Sequence, residues 1–488
     1  MNSHRQIFKS SVIIGSASLV HVVVGIIKVK VLAVLLGPSG VGLMGLFLNI
    51  MNMASSLAGC GISHSGVRQL AASSDDEALL GDVRRALWIG NLVLGIIGLA
   101  VLWLLREPVS LWIFGDLTRT TEVGWLGIGV LLMLVASSQT GLLQGLRRIG
   151  DLARVRIVSA ITAAAIGIAL VWWLGADGVV WFVITVPAVS VLVAWHYARR
   201  LARPRSETDW SSVRQQGLAM LKLGIPFMLT GLLTLVTQLL VRSILLQELG
   251  LDATGYFQAA WAISMTYVSF VLSAMGADYY PKLSSLFDDK PEARRLVEAQ
   301  TEMALLLAGP ALIAMMTLSP LVVHLLYAAS FSASAELLRW QIMGDIFRVA
   351  SWPLSYILLA QGRGALMVGT ELVWGAIYVA VVYFGVQELG LIAAGLGFLF
   401  SYLVYLVLML VCAHQLIGYR PGRRNALFAL VLVIAGGLVL YVTTLDSVLV
   451  YSFGLLTSAL LAIYSLRRLD ALIDLSGWLG KRLSSSRT

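Results

Sequence analysis

The sequence predicts an all-α membrane protein, a bundle of about fourteen transmembrane helices. Of its 488 residues, 58% are hydrophobic and only 12% are charged, whereas soluble proteins carry about 25% charged residues. Apolar runs of about 20 residues, the length that crosses a bilayer, recur along the whole chain. Lysine and arginine concentrate in alternate connections between these runs. Because so few charges cannot cover a water-facing surface, we expect lipid to be the main solvent.

The apolar runs define the predicted spans. They lie at 11–35, 41–65, 86–105, 124–146, 156–175, 178–197, 219–245, 254–279, 303–327, 338–360, 364–384, 390–413, 425–444 and 447–466. The shortest turns between them are at 37–40, 176–178 and 361–364. The first run is too long for a signal-peptide core and no small-residue cleavage motif follows it, so we expect it to remain as a span.

The basic residues predict which side of the membrane is cytoplasmic. Lysine and arginine stay preferentially inside. With the N-terminus inside, 28 of the 35 Lys and Arg residues fall in the tails and the even-numbered connections. The external connections hold only Arg106, Arg119 and Arg339. Both termini are therefore predicted to be cytoplasmic, and the net charge of +9 is assigned to one membrane face rather than to nucleic acid.

An internal repeat suggests how the spans are grouped. The segment "LLGPSGVGLMGLFLNI" follows span one and "ELGLDATGYFQAAWAI" follows span seven, so Gly37 aligns with Gly250 and Gly42 with Gly255 at an offset of 213 residues. We interpret this as two pseudo-symmetric six-helix lobes around a central cavity, a parallel repeat. A chance resemblance between glycine-rich apolar segments is the alternative. The predicted divisions are lobes 1–200 and 219–415, a cytoplasmic linker 201–218, an additional helix pair 425–466 and a cytoplasmic tail 467–488.

After the basic residues at the span ends are assigned to the connections, four remain inside predicted spans, where each charge costs about 2.5–3.5 kcal/mol on insertion scales and needs a partner or a wet cavity. They are Lys28, Lys30, Arg242 and Arg348. Lys28 and Lys30 lie near the outer end of span one, so snorkelling to the interface is their alternative role. Arg242 occupies nearly the equivalent place in span seven. Cations on the first helix of both lobes are what a central anion site needs.

Asp345 and Glu371 are the clearest acids within the predicted spans. Asp345 is three residues before Arg348 on one helical face, so a self-neutralising pair without a ligand is one interpretation. Glu371, on the next span, is a second candidate partner for Arg348. A protonatable carboxylate in a membrane is also a candidate for proton or cation coupling.

Uncharged polar residues are candidates to line a cavity. His21 lies seven residues before Lys28 on the same helical face, although a packed polar role is the commoner one for such a residue. The others are Asn49, Asn52 and Gln238, for which interhelical hydrogen bonding is the alternative.

Motifs for chemistry are absent from the sequence. It contains no phosphate-binding loop for ATP, no nucleophile motif and no metal-binding spacing, so we expect no cofactor, no metal and no enzymatic activity. Cys60 and Cys412 are far apart in apolar stretches and suggest no disulfide framework. The predicted external connections are short, which argues against a membrane polysaccharide polymerase or ligase.

Several motifs resemble a known family. The stretches "KVKVLAVLLGPSGVGLMGLF" and "LAGCGISHSGVRQLA", and later "LLRWQIMGDIFRV" followed by "GTELVW", resemble Wzx-type flippases for O-antigen and enterobacterial common antigen, of the multidrug/oligosaccharidyl-lipid/polysaccharide exporter superfamily. The resemblance covers roughly the first 415 residues. Several members have twelve spans and lipid II flippases of the superfamily have fourteen, so the last two helices here depart from part of the family.

The resemblance implies a function. Such proteins move undecaprenyl-pyrophosphate-linked oligosaccharide from the cytoplasmic to the periplasmic leaflet of the bacterial inner membrane by alternating access. A polysaccharide polymerase and a chain-length regulator are implied partners, beside membrane lipids. By resemblance, charged residues of these flippases match Lys30, Arg242, Asp345, Arg348 and Glu371, while Lys28 rests on the local argument alone.

Other functions stay open at this point. A cation-coupled drug or metabolite exporter of the same superfamily is the first alternative, although acidic rather than basic cavity residues are then expected to dominate. A polymerase or ligase is the second, and a scaffold within a polysaccharide assembly complex is the third.

Overall fold

The computed structural model describes residues 2–73, 76–201, 209–286, 289–443, 445 and 447–473; within these ranges it describes all side chains except those of 2–21, 226, 227, 230, 273, 274, 277, 447, 448 and 473. In this part of the chain every regular element is a helix, which confirms the predicted all-α class. The side chain of His21, residues 202–208 of the predicted linker and 474–488 of the predicted tail lie outside the described residues.

Sixteen α-helices form the described part of the chain, with two short 3₁₀ helices at Gly175–Asp177 and Ala329–Phe331. The α-helices are α1 Asn2–Gly59, α2 Ile62–Ala72, α3 Glu77–Leu104, α4 Arg106–Phe114, α5 Thr120–Gly145, α6 Ile149–Leu174, α7 Gly178–Ala198, α8 Trp210–Leu249, α9 Leu251–Ser285, α10 Lys290–Thr317, α11 Ser319–Leu326, α12 Ala333–Ala360, α13 Gly364–Leu389, α14 Ile392–Ile417, α15 Arg423–Val442 and α16 Ser447–Ile473.

Aspartates begin three of the helices that follow predicted cytoplasmic connections. Asp76 accepts the backbone N–H groups of the first turn of α3, Asp209 accepts Ser211 N at 2.9 Å to open α8, and Asp289 accepts Glu292 N at 3.1 Å to open α10. Such side chains satisfy donors that have no partner inside the helix. The Ser211 hydrogen bonds also lower the pKa of the Asp209 carboxyl, which keeps this cap ionised.

The three shortest predicted turns coincide with breaks in the helices. Gly37 interrupts α1 with φ +64° and ψ −168°, immediately before Pro38. The 3₁₀ helix Gly175–Asp177 separates α6 from α7, and Gly362, with φ +64°, lies between α12 and α13. Glycine adopts positive φ without steric cost, so these short turns reverse the chain between long apolar helices.

The number of spans stays a prediction. Within the described residues, eleven helical stretches are long and apolar enough to cross a membrane. Two of them, Val22–Gly59 and Ile149–Ala198, contain the breaks at Gly37 and Gly175–Asp177. The predicted span 41–65 ends earlier than expected, because Cys60 and Gly61 have φ values of +46° and +68° and separate α1 from α2.

The described chain forms two compact units. The first runs through Gly255 and includes Leu326–Ser330, and the second contains Tyr256–Leu325 and the residues from Phe331 onward. The predicted division into lobes at 201–218 stays a prediction, and within the first compact unit α8 packs against earlier helices. Ser65 Oγ on α2 donates to the Met220 carbonyl at 2.8 Å, and Ser243 Oγ donates to the Ile113 carbonyl at 3.1 Å.

The first pair of glycines that the internal repeat aligned, Gly37 and Gly250, has similar backbone dihedral angles. Gly250 has φ +86° and ψ −178°, close to the values at Gly37. Each glycine ends one long helix segment and lets the chain turn into the next. The recurrence supports the alignment, while the pairing of two whole six-helix lobes stays a prediction.

The second aligned pair, Gly42 and Gly255, forms a close backbone contact inside the first unit. A Cβ on Gly42 would lie 2.6 Å from the Leu251 carbonyl oxygen, and one on Gly255 would overlap the Pro38 carbonyl. Real Cβ atoms essentially never come this close to another heavy atom, so neither position can hold a side chain without a shift of the backbone. Glycine at both positions therefore allows α1 and the start of α9 to touch backbone to backbone.

Replacing Gly255 by alanine is expected to lower the free energy of unfolding by about 1–3 kcal/mol, because overpacking forces the two backbones apart. The melting temperature of the purified protein measures this. Gly437→Ala on α15 is the matched control, since open space surrounds that position. Equal melting temperatures for both variants would contradict the close contact.

A polar cluster attaches the additional helix pair to α10 within the second unit. The Glu298 carboxylate accepts the Tyr419 hydroxyl at 2.6 Å and Gly422 N at 3.0 Å, and Arg468 Nε donates to Glu302 at 2.7 Å. Burial and the neighbouring Glu298 carboxylate raise the pKa of Tyr419, so the phenol remains a donor. Predicted spans 425–444 and 447–466 fall on α15 and α16.

Candidate functional site

A buried ion pair on α12 is the centre of the polar site in the second unit. Arg348 Nη1 lies 3.5 Å from Asp345 Oδ1, three residues earlier on the same helical face. Asp345 is fully buried, while the Arg348 side chain is 20% exposed. The sequence predicted this pair from its spacing. Part of the Arg348 side chain therefore remains accessible although its carboxylate partner is fully buried.

Neighbouring polar groups that the sequence analysis did not select complete the surroundings of Asp345. Ser264 on α9 donates its hydroxyl to Asp345 Oδ2 at 2.5 Å. Gln341, one turn earlier on α12, is fully buried, and neither of its amide atoms has a hydrogen-bond partner within the described residues. The spacing of four between Gln341 and Asp345 was visible in the sequence, whereas the approach of Ser264 was not.

Two polarisable groups lie against the Arg348 guanidinium. Its Nη1 lies 2.9 Å from the Met265 sulfur, and its guanidinium carbon lies 5.8 Å from the centroid of the Tyr402 ring. A guanidinium is weakly hydrated and stacks on aromatic faces, so this setting holds the side chain in place without a second carboxylate.

Glu371 on α13 shares a small cavity with Arg348. The cavity has a volume of about 140 Å³. Its lining residues are Arg348, Ser351, Trp352, Ser355, Glu371, Trp374, Tyr402 and Tyr405. The Tyr405 hydroxyl donates to Glu371 Oε1 at 3.2 Å. Among the described ion pairs Arg348 pairs with Asp345, so Glu371 is a neighbour across the cavity rather than the first partner.

A separate polar cluster surrounds Arg242 on α8 in the first unit. Arg242 is only 3% exposed. Its Nη1 donates to the Gln238 carbonyl at 3.1 Å and lies 3.3 Å from Gln238 Oε1. With its amide turned to donate to the Leu235 carbonyl, Asn49 accepts from Arg242 Nη1 at 3.2 Å. Three of the predicted cavity residues, Arg242, Gln238 and Asn49, thus meet in one cluster.

The remaining predicted residues lie on α1. Lys28 Nζ is 5.5 Å from the centroid of the Phe182 ring, a cation–π contact with α7. Lys28, Lys30 and Asn52 are half-buried. Their roles in ligand binding stay predictions, as does that of His21.

The two clusters have different chemical capacities. The Arg242 cluster is closed in this structure, since its guanidinium is engaged by amide and carbonyl oxygens. Arg348 combines a positive charge, an aromatic wall and an opening into a cavity, which is the arrangement that can receive a negatively charged oxygen. A planar guanidinium can form two parallel hydrogen bonds to phosphate.

A protein-family comparison matches most of the chain. The family model described as "polysaccharide biosynthesis protein" matches residues 31–336, which is more than half of the sequence. The lipid III flippase of Escherichia coli (strain K12) is 25% identical over 415 residues, covering 81% of this chain and 95% of the relative. The lipopolysaccharide biosynthesis protein WzxC of the same organism is 19% identical over 399 residues, covering 80% and 77%.

Solved structures support the same fold. The lipid II flippase MurJ in an inward closed conformation superposes with a TM-score of 0.67 at 13% identity, covering 94% of this chain and 99% of that one. An inward-facing multidrug resistance transporter of the MATE family gives a TM-score of 0.60 at 16% identity, covering 84% and 94%. At these identities the likeness shows the fold alone, which agrees with the predicted polytopic helical bundle.

Proposed function

Because the chain belongs to the polysaccharide biosynthesis protein family, we propose that it is a flippase that moves lipid-linked oligosaccharide across a bacterial inner membrane. The relatives named lipid III flippase and lipopolysaccharide biosynthesis protein support this class of substrate. The single structural observation that carries the proposal is Arg348, a membrane-embedded cation that opens into a cavity beside Tyr402.

The proposed substrate has a pyrophosphate that joins a polyprenol to the sugar. Such an anion does not cross hydrocarbon unaided, and a cation replaces part of its lost hydration. In this mechanism Arg348 engages the pyrophosphate or an acidic sugar, and Arg242, Lys30 and Lys28 are proposed as further anion-binding cations. Binding is modest at each step, because the lipid has to leave on the other side.

The direction of transport in this proposal runs from the cytoplasmic to the periplasmic leaflet by alternating access. Both chain termini are cytoplasmic, as the distribution of lysine and arginine predicts. An O-antigen or similar repeat unit is the proposed cargo, and a polymerase and a chain-length regulator are the proposed partners. The protein itself performs no bond-forming chemistry in this mechanism.

A transport assay tests the function. Purified protein in vesicles, with a fluorescent polyprenyl-pyrophosphate glycan in one leaflet, is expected to move that lipid to the other leaflet faster than protein-free vesicles do. In a deletion strain the lipid-linked repeat unit should accumulate, and mass spectrometry would identify its sugars. Formation of glycosidic bonds by the pure protein, without lipid movement, would instead favour a polymerase or ligase.

Ion coupling is proposed to involve Asp345 or Glu371. Replacing Glu371 by glutamine removes a titratable group next to Arg348 while keeping the size of the side chain and an acceptor for Tyr405. We expect transport by this variant to respond at least about threefold less to an imposed proton or sodium gradient than transport by the native protein, since a neutral amide binds neither ion well.

The matched control for this measurement is Glu388→Gln at the end of α13, because that position is outside the cavity and carries the same charge. If transport by the native protein responds to neither gradient, the proposed ion coupling is wrong. If the Glu371→Gln variant responds to the gradients as the native protein does, and the Asp345→Asn variant loses that response, the coupling is assigned to Asp345.

A further inference from the structure

A basic groove lies within the first unit and shares no lining residue with the polar clusters described above. It runs between α3, α5, α7 and the start of α8 and has a volume of about 730 Å³, within the range of roughly 300–1,000 Å³ that small-ligand sites occupy. Three arginines and three tryptophans give it its character. They are Arg84, Arg85, Arg199, Trp88, Trp195 and Trp210.

The charge of the groove is strongly one-sided. None of the described residues that line it is acidic. Asp82, just outside the lining, lies 3.4 Å from Arg85 and balances that arginine. Arg199 stacks over the Trp195 ring, with its guanidinium carbon 4.9 Å from the centroid. An aromatic ring positions this arginine but leaves its positive charge in the groove.

His196 lies between two arginines at the end of α7, next to the groove. Its Nδ1 lies 3.2 Å from Arg199 and its Nε2 lies 2.6 Å from Arg200. A neutral imidazole has one acceptor nitrogen and one N–H, so it can accept a hydrogen bond from only one of these two guanidinium groups. Two cationic side chains thus converge on one imidazole at the end of α7, which concentrates positive charge beside the groove.

The exposed tryptophans of the groove are typical of a membrane interface. Trp88, Trp195 and Trp210 are 46%, 51% and 66% exposed, and tryptophan is enriched where lipid headgroups meet hydrocarbon. The groove lies where α3 begins and α7 ends, which is the cytoplasmic side in the predicted orientation. Basic pockets between transmembrane helices on this side suit the headgroups of anionic phospholipids.

We propose that this groove binds the phosphodiester headgroup of an anionic phospholipid of the cytoplasmic leaflet. Arg84 and Arg199 hold the phosphate from the two flanks, and the exposed tryptophan faces pack along the glycerol and upper acyl chains. No residue that lines the groove also lines the Arg348 cavity, and the proposed occupant is lipid that stays bound rather than cargo. The assignment depends on the predicted orientation but not on the proposed transport function.

Native mass spectrometry of the full-length protein, titrated with phosphatidylglycerol or phosphatidylethanolamine, tests the proposal. Phosphatidylglycerol should be retained in preference to the zwitterionic lipid. The double variant Arg84→Gln with Arg199→Gln should bind it at least about tenfold more weakly, the loss expected for one charge-assisted hydrogen bond. The control is Arg154→Gln with Arg156→Gln, which removes the same charge from the same membrane face outside the groove, and it should retain the lipid as the native protein does.

Two further measurements keep the test decisive. A photoreactive phosphatidylglycerol should crosslink the native protein at peptides containing Trp88 or Trp195, a result that needs no variant to fold. Inorganic phosphate at millimolar concentration, or a polyprenyl pyrophosphate, should not displace the lipid. The proposal is wrong if both double variants weaken phosphatidylglycerol binding equally, or if the crosslinks lie outside these peptides. It is also wrong if either competitor displaces the lipid, because the groove would then be a site for free anions or for the cargo.

Discussion

Replacing Arg348 by glutamine is expected to lower glycan export at least about tenfold, the loss that one charge-assisted hydrogen bond to the cargo represents. The same change leaves Asp345 fully buried without its cation. Breaking a buried pair in this way costs about 3–5 kcal/mol. Export is measured from the surface glycan of a complemented deletion strain, and stability from the melting temperature of the purified protein.

The double variant Asp345→Asn with Arg348→Gln separates the two effects. Because both charges are removed together, most of the lost stability should return, since a neutral pair avoids an uncompensated buried charge. Export should remain low, because the cation that faces the cavity is still missing. If export recovers with stability, the pair is a structural element and the proposed anion site at Arg348 is wrong.

Replacing Arg242 by glutamine is expected to reduce export about tenfold or more, whereas Arg242→Lys should keep export within about threefold of the native level. Lysine retains the positive charge that the proposed cargo responds to. It does not reproduce the planar contacts to Gln238 and Asn49. Export per folded molecule, normalised to protein in the membrane, is the measured quantity.

Gln238→Leu is the matched control for the Arg242 variants. It removes the side-chain acceptor of Arg242 while leaving the charge, so it should lower stability by about 1–3 kcal/mol with little change in export per folded molecule. If Arg242→Lys and Arg242→Gln reduce export equally, export depends on the contacts of Arg242 and not on its positive charge. Arg242 would then be a helix-packing residue.

Much of the architecture follows from local signals in the sequence. The break at Gly37 and the turn near Gly362 were predicted from apolar runs interrupted by glycine, and both have positive φ. The pairing of Asp345 with Arg348 was also predicted, because residues three apart on a helix share a face. These features depend only on neighbours along the chain, which a sequence displays directly.

Other features of the site depend on helices that are distant in sequence. Ser264 reaches Asp345 from α9, and Tyr405 reaches Glu371 from α14. Serine and tyrosine are common in apolar helices, so neither residue type marked these positions. The basic groove was missed for a similar reason. Its arginines were interpreted as markers of the cytoplasmic face. Arg84 and Arg199 reach one surface only because α3 and α7 both pack against α5.

The sequence by itself determined the helical class, the positions of the short turns and the charges that the membrane has to accommodate, because composition and helical periodicity are properties of the chain alone. The tertiary structure decided that α8 packs into the first unit, that Arg242 is buried beside Gln238 and Asn49 and that Arg348 opens into a cavity. The physical reason is that burial and hydrogen-bond partners depend on which helix faces meet. In a lipid environment nearly every face is apolar, so hydropathy alone does not select the partner.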